Sequence, residues 1–461
     1  MIQDDTIAAV ATAVGEGSIG IVRVSGPKAM LIARSVFRRP AGKPEQELPS
    51  HCASYGHVVD PATGDTVDEA LLLPMRAPRS YTREDVVEIH CHGGPVPLRR
   101  TLELVLDAGA RMAEPGEFTK RAFLNGRLDL SQAEAVMDVI RAKTDASLRM
   151  AVGHLSGVLS AKVKALRHEI LRLIAQLEAA IDFPEEDIED LAAQKVSRAL
   201  ARLVEDLEAL LTTAQTGRIL REGMATAIIG KPNVGKSSLL NALLGEKRAI
   251  VTDIPGTTRD IIEEYVNIGG IPLKIVDTAG IRDTADIVER IGVERAREAV
   301  AEADLILLVL DASAKLTAED KKVLDLLAGR QAIVLVNKSD LPEAVDMGEV
   351  GRLAAGKSII RVSALEGTGV GELEQAIAGM VYSGKINQAE GAFVTNVRHK
   401  HLLSQARERL AEALATAQAG MPPDCIVVDL RSSWEVLGEI TGETVGEDIL
   451  DQIFSQFCIG K

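Results

Sequence analysis

Nine residues carry the first chemical signal: Gly230-Lys-Pro-Asn-Val-Gly-Lys-Ser-Ser238, set between the apolar run Met224 to Ile229 and the helix-like Leu239-Leu-Asn-Ala-Leu-Leu244. A short strand, a glycine-bearing turn and a helix opening on Lys-Ser is the arrangement that binds polyphosphate. Backbone N–H groups of Gly230, Asn233, Val234 and Gly235, added to the positive end of the helix dipole, cradle the phosphates. Lys236 reaches the outer phosphates, Ser237 offers its hydroxyl to Mg²⁺, and Ser238 completes the motif.

Three further stretches follow at the carboxyl ends of apolar runs, where α/β sheets bind ligands. The strand Leu273-Lys-Ile-Val276 ends in Asp277, Thr278, Ala279 and Gly280; Ala332 to Val336 ends in Asn337, Lys338, Ser339 and Asp340; Ile359 to Val362 ends in Ser363, Ala364 and Leu365. Between the first loop and Asp277 lies the polar segment Thr252, Asp253, Ile254, Pro255, Gly256, Thr257 and Thr258. Asp277 suits the Mg²⁺ shell and the Gly280 N–H the γ-phosphate, so this loop would sense hydrolysis. Asp340 can accept from both guanine N1–H and the exocyclic amine, which adenine cannot match, and Asn337, Lys338 and the backbone of Ser363 to Leu365 complete a base pocket. Taken in order, these elements point to GTP.

Two details separate this chain from signalling enzymes of the Ras kind. The residue after Gly280 is Ile281, which cannot orient water as glutamine does. Asp283, Asp286, Glu289 and Glu294 are nearby carboxylates, and spacing does not choose among them. Asn233 is an uncharged oxygen donor that suits either a monovalent cation beside the phosphates or a bond bracing the loop.

The elements that must position these residues occupy the middle of a 461-residue chain, long enough for roughly three domains. Residues 217–384 alternate strands with helices, as a doubly wound sheet requires. Residues 1–118 read as mixed strand and helix, with β-rich Ile19 to Val24 and Asp85 to His90 and helical spacing from Leu98 to Ala108. Residues 119–216 and 385–461 read as amphipathic helices; Leu159, Val163, Leu166, Ile170, Leu173, Ile174 and Leu177 recur at three- and four-residue steps. The fold class is therefore multidomain α+β and α/β, with an inserted Ras-like P-loop domain.

Lesser signals have plainer readings. Gly15-Glu-Gly-Ser-Ile-Gly20 matches a dinucleotide fingerprint, but a strand follows where a helix is needed, which leaves a glycine-rich turn. His90-Cys91-His92 on a strand aligns only two imidazoles, too few for a metal site. Pro184 to Asp190 reads as a solvated turn opening the next helix. The Gly460-Lys461 ending does not suit prenylation of Cys458.

Lys and Arg total 52 against 67 Asp and Glu, a formal charge of −15, so the whole molecule repels nucleic acid. Any RNA contact must use a local basic patch or a basic partner. The four cysteines are far apart, the start is acidic and no run approaches about 18 apolar residues. Together these indicate a cytoplasmic protein without a membrane association. A ribosome-assembly GTPase would share the nucleotide motifs, but it would carry a basic RNA-binding domain that neither flank supplies.

Asp5-Thr-Ile7 with Ile21-Val-Arg-Val-Ser-Gly26, Pro115-Gly-Glu-Phe118 with Arg121-Ala-Phe-Leu-Asn125, Leu128-Asp-Leu-Ser-Gln-Ala-Glu134, Ala180-Ile-Asp-Phe-Pro184, Gly256-Thr-Thr-Arg-Asp260 and the terminal Phe457-Cys-Ile-Gly-Lys461 resemble the tRNA modification GTPase MnmE (TrmE) family over essentially the whole chain. The resemblance implies an N-terminal folate-binding, dimerising domain and a helical domain in two segments with the G domain between them. It implies a homodimer that joins the FAD-dependent flavoprotein MnmG as a heterotetramer, with tRNA bound mostly through that partner. The reaction implied places a carboxymethylaminomethyl or aminomethyl group on carbon 5 of the wobble uridine, with a one-carbon unit from 5-formyl- or methylene-tetrahydrofolate. By motif position it puts K⁺ on Asn233, Thr252, Ile254 and Thr257, Mg²⁺ on Ser237 and Thr258, and the catalytic glutamate on Glu289. Folate contacts fall on Arg23, Glu88, Arg127 and Lys461; where lysine is the usual residue, Arg127 keeps the charge and changes the geometry. Cys458 corresponds to a nucleophile, or else packs between Phe457 and Ile459.

Overall fold

The computed structural model describes residues 5–13, 15–40, 48–182, 189–245, 264–276, 291–382 and 392–461, with the side chains of 189–193 and 291–296 left aside. Its N-terminal sheet is built from strands of alternating character: β1 (Ile7–Val10), β2 (Gly17–Ser25), then helix α1 (Ala29–Val36), β3 (Phe37–Arg38), β4 (Ser54–Val59), β5 (Thr66–Met75), β6 (Val86–Gly93), helix α2 (Pro95–Asp107) and β7 (Arg111–Met112). The strand order is β3-β4-β5-β6-β2-β1-β7. Val22 and Val24 of β2 and Val87, Ile89 and Cys91 of β6 face a core shared with α1 and α2. Successive side chains alternate faces, so Ile21 and Arg23, Glu88 and His90 emerge on the other side.

The Gly15–Gly20 run is not the plain turn its composition suggests. Gly17 already belongs to β2, and the register with β6 shifts between Gly17 and Gly20, a bulge. A Cβ on Gly20 would stand 2.6 Å from the Leu98 side chain, so glycine there lets α2 close onto the sheet.

Helices α3 (Glu117–Leu124), α4 (Leu130–Arg141), α5 (Asp145–Leu155), α6 (Val158–Asp182), α7 (Glu189–Thr212) and α8 (Ala214–Glu222) follow. The leucine stripe of α6 meets Leu200, Leu203, Leu207 and Leu210 of α7 and apolar residues of the two long helices near the end of the chain, forming one continuous core. Asp129 caps α4 through a reciprocal box with Gln132.

The second sheet comprises β8 (Met224–Ile229), followed by α9 (Lys236–Gly245), β9 (Glu264–Ile268), β10 (Ile271–Val276), α10 (Ile291–Glu302), β11 (Leu305–Asp311), α11 (Ala318–Asp325), β12 (Ala332–Asn337), α12 (Met347–Leu353), β13 (Ser358–Arg361) and α13 (Val370–Tyr382). Its order is β13-β12-β11-β8-β10-β9, parallel except for β9. Leu305, Leu307 and Val309 enter one core layer and Ile306, Leu308 and Leu310 the other. Burial on both faces explains why β11 is an unbroken apolar run.

The chain returns through α14 (Val397–Gln418), α15 (Pro423–Thr441) and α16 (Glu447–Phe454). Helix α8 crosses the returning segment 392–396 so closely that a Cβ on Gly217 would lie 2.3 Å from the Val394 carbonyl oxygen. Around this crossing, Ser147 Oγ donates to Leu220 O at 2.6 Å, Arg221 pairs with Asp138 at 2.7 Å and His154 Nε2 donates to Phe393 O at 2.8 Å.

Candidate functional site

The loop after β8 is shaped by backbone conformations that few side chains adopt. Gly230 and Gly235 have φ of +147° and +98°, and Asn233 takes the left-handed value of 64°. A Cβ on Gly235 would meet Asn337 Nδ2 at 2.2 Å, and one on Gly230 would meet Val309 O at 2.4 Å. Lys236, first residue of α9, turns back so that Nζ donates to the carbonyls of Gly230 and Lys231, both at 2.7 Å. Burial lowers its pKa from the ordinary lysine value. Lys231 pairs with the buried Asp320 at 2.6 Å, fastening the loop to the start of α11.

Asn337 joins two of the predicted motifs. Its Nδ2 donates to Val234 O at 2.8 Å and its Oδ1 accepts from Ala364 N at 3.0 Å, so one buried amide holds the phosphate loop against the turn after β13. Asp340 is exposed at the mouth, and Ser363 Oγ donates to its Oδ1 at 2.6 Å, which orients the carboxylate. Lys338 has a φ of 62° and pairs with Asp311 at 2.6 Å. Burial pushes the Asp311 carboxyl up, but the bonds from Lys338 and Ser313 outweigh it and hold it below the usual range. Leu365 is 87% exposed. The structure thus brings together Gly230, Val234, Gly235, Lys236, Asn337, Asp340, Ser363 and Ala364, with Ser237 and Ser238 in the first turn of α9. Asn233 is exposed and makes no hydrogen bond to a described residue, so the bracing role open to it has no partner there. Thr252, Asp253, Ile254, Pro255, Gly256, Thr257, Thr258, Asp277, Thr278, Ala279, Gly280 and Glu289 lie outside the described residues.

A second constellation forms where the C-terminal tail meets the first sheet. Arg23 and Glu88 are direct cross-strand partners, with Nε and Nη2 each 2.9 Å from Oε1. Arg23 Nη1 also donates to Gly460 O at 3.2 Å. The Tyr81 ring lies 5.7 Å from the Arg23 guanidinium carbon and 4.7 Å from that of Arg127, within cation–π reach of both. Gly460 is buried with a φ of 91°, and a Cβ would stand 2.2 Å from Val10 O, so the tail can lie flat only with glycine there. Burial, then the charge of Arg23, lowers the Lys461 pKa from its ordinary value. Among the described residues, Arg23, Glu88, Arg127 and Lys461 therefore converge.

Cys458 is exposed, while Phe457 beside it packs on Phe454, ring centroids 5.3 Å apart. The packing role considered for the cysteine belongs to the phenylalanine. Tyr81 carried no sequence signal, because a lone tyrosine in a polar loop has no periodicity. His90 and His92 face Glu88 and Asp68, at 3.1 and 2.6 Å, and among the described residues no cluster of His, Cys, Asp or Glu suits a metal.

The family model described as GTP-binding protein TrmE N-terminus matches residues 6–127, and that described as MnmE helical domain matches residues 130–458. The tRNA modification GTPase MnmE of Geobacillus kaustophilus is 54% identical over 462 residues, covering 100% of both chains. That of Desulforamulus reducens is 54% identical over 459 residues, covering 99% of this chain and 100% of the relative. Among solved structures, the FeoB G domain of Methanococcus jannaschii is 26% identical across 34% of this chain and 96% of its own, at a TM-score of 0.25. With a fused nucleotide site, a tail docked on the first sheet and full-length identity above half, the chain belongs to the tRNA modification GTPase MnmE family.

Proposed function

We propose that the chain hydrolyses GTP and couples the hydrolysis to modification of carbon 5 of the wobble uridine in certain tRNAs, acting in the cytoplasm as a homodimer with the flavoprotein MnmG. The observation that carries the nucleotide half is the Asn337 bridge, which ties phosphate loop and base pocket into one rigid unit. A guanine is read by Asp340, and the triphosphate lies along the N–H groups of residues 233–237 at the α9 terminus.

The residues present fit the groups that the reading requires. Exposed Asn233 and the hydroxyl of Ser237 offer the hard oxygen donors that K⁺ and Mg²⁺ take, with Thr252, Ile254, Thr257 and Thr258 as further donors. Positive charge beside the phosphates would stabilise the transition state in place of an arginine finger, and Glu289 would position water. Tyr81, flanked by two guanidiniums of which one is paired with Glu88, suits a flat heteroaromatic ring with a carboxylate tail, as a tetrahydrofolate has. Arg23, Glu88, Arg127 and Lys461 would hold it, and the folate would supply the one-carbon unit. Cys458, exposed in the same tail as Lys461, would be the nucleophile. The test is deletion of the gene and mass spectrometry of digested tRNA. Loss of the modified wobble uridine, restored by the intact gene, is expected; unchanged anticodon nucleosides would overturn the reading.

A further inference from the structure

With a net charge of −15, the chain can touch RNA itself only through a local cationic surface, and one is built next to the tail. Arg79 and Arg83 sit in the loop joining β5 to β6, and Arg127 in the turn after α3; all three are exposed. The two turns are tied to one another: Arg83 Nη1 donates to Asn125 O at 2.9 Å, Asn125 Nδ2 to Thr82 O at 2.7 Å, and Arg127 Nη1 to Tyr81 O at 2.9 Å. The nearby carboxylates are engaged elsewhere, Glu84 with Arg121 and Ser25, and Asp85 with the Ala77 N–H. Among the described residues, none of the three arginines forms an ion pair. Arg83 is moreover held at a φ of 61°, a conformation costly for a non-glycine residue and kept only where the surroundings over-determine it.

We propose that the paired turns 79–83 and 125–127 form a phosphate-binding surface on which an RNA backbone lies, delivering its base to the neighbouring Arg23–Tyr81–Gly460 end. Arg127 and Arg23 flank the same ring, so the surface and the tail are contiguous. The guanidiniums of Arg83 and Arg127 already have one N–H fixed by a carbonyl, which presents their remaining donors in set directions and suits phosphate oxygens, while that of Arg79 adds a third charge beside them. Such contacts position RNA without reading its sequence. This inference rests on the tRNA-modifying role proposed above.

The test uses the full chain, a labelled anticodon stem-loop and a labelled hairpin of unrelated sequence, with affinity followed against salt. Arg79→Glu, whose side chain makes no hydrogen bond to a described residue, and Arg83→Glu should each lower the slope of log affinity against log salt by about 1 and weaken both RNAs alike. Arg83→Lys should restore the slope, which a purely structural role would not do. GTP turnover should be unchanged in every variant. An unaltered slope, no RNA binding by the parent chain, or weakened folate binding with RNA binding intact would each overturn the proposal. Each parent and variant gene is also returned to the deletion strain. If the parent restores the modification while the slopes stay put, the surface is wrong and the functional reading stands; if the parent restores nothing, that reading itself fails.

Discussion

Ser363 Oγ, 2.6 Å from Asp340 Oδ1, turns an exposed aspartate into an oriented acceptor. A base pocket of this type discriminates because a wrong base leaves a polar group unpaired, worth factors of about 10⁴. Asp340→Asn replaces one acceptor by a donor, so it should cost GTP about 10² or more in affinity and shift preference to xanthosine triphosphate, read by calorimetry with both nucleotides. Unchanged GTP affinity would contradict the base assignment. Asp340 and Asn337 were legible as residues because Asn-Lys-x-Asp closes an apolar strand. The reach of the Asn337 amide back to Val234 was not, since those positions are far apart in sequence and meet only when β8 and β12 flank β11.

Helix α4 is the element on which the separate parts meet. One side packs Leu130, Ala133 and Met137 against Leu450, Phe454 and Phe457 of the terminal segment. From another, Glu134 receives Arg398 Nη2 and His399 Nε2, both at 2.7 Å, and Asn396 Nδ2 at 2.9 Å. Burial alone would raise the Glu134 carboxyl, but His399 and then Arg398 outweigh it and bring the pKa down to about 2. A folded-state value below the ordinary 4.5 means that the contribution is complete above about 4.5 and is lost as pH falls toward 2. Glu134→Gln should therefore cost about 3 kcal/mol near neutrality, because it takes the buried carboxylate away from the Arg398 guanidinium, and the gap to the parent should narrow in acid. Denaturant titrations at neutral and acid pH read both effects, and an equal loss at the two would argue against the ion pair. That α4 falls in a helical stretch was readable from the sequence; the buried carboxylate on its flank was not, since glutamate on an amphipathic helix ordinarily faces solvent.

Across the whole molecule, the nucleotide loop and the tail site are joined by packed elements: α8 and the segment 392–396 cross at Gly217, α5 and α4 grip the crossing, and α4 carries the terminal phenylalanines. With Ile281 where a water-positioning glutamine would stand and Asn233 exposed in the loop between β8 and α9, turnover should be faster in potassium than in sodium. Equal rates in the two buffers would rule out a monovalent-ion role. Local order by itself determined much of this protein: the glycines, lysine and serine of the phosphate loop must be contiguous to cradle phosphate, and strands and helices announce themselves by period. The family resemblance grouped Arg23, Glu88, Arg127 and Lys461, but only the tertiary structure decided their contacts and brought Tyr81 and Gly460 among them. Arg23, Tyr81, Arg127 and Gly460 come from four separate stretches of chain, and no periodicity links them. They meet because a β-sheet pairs Arg23 with Glu88 by register and because α4 leads the C-terminus back to the first strands, where only the space left by Gly460 admits it.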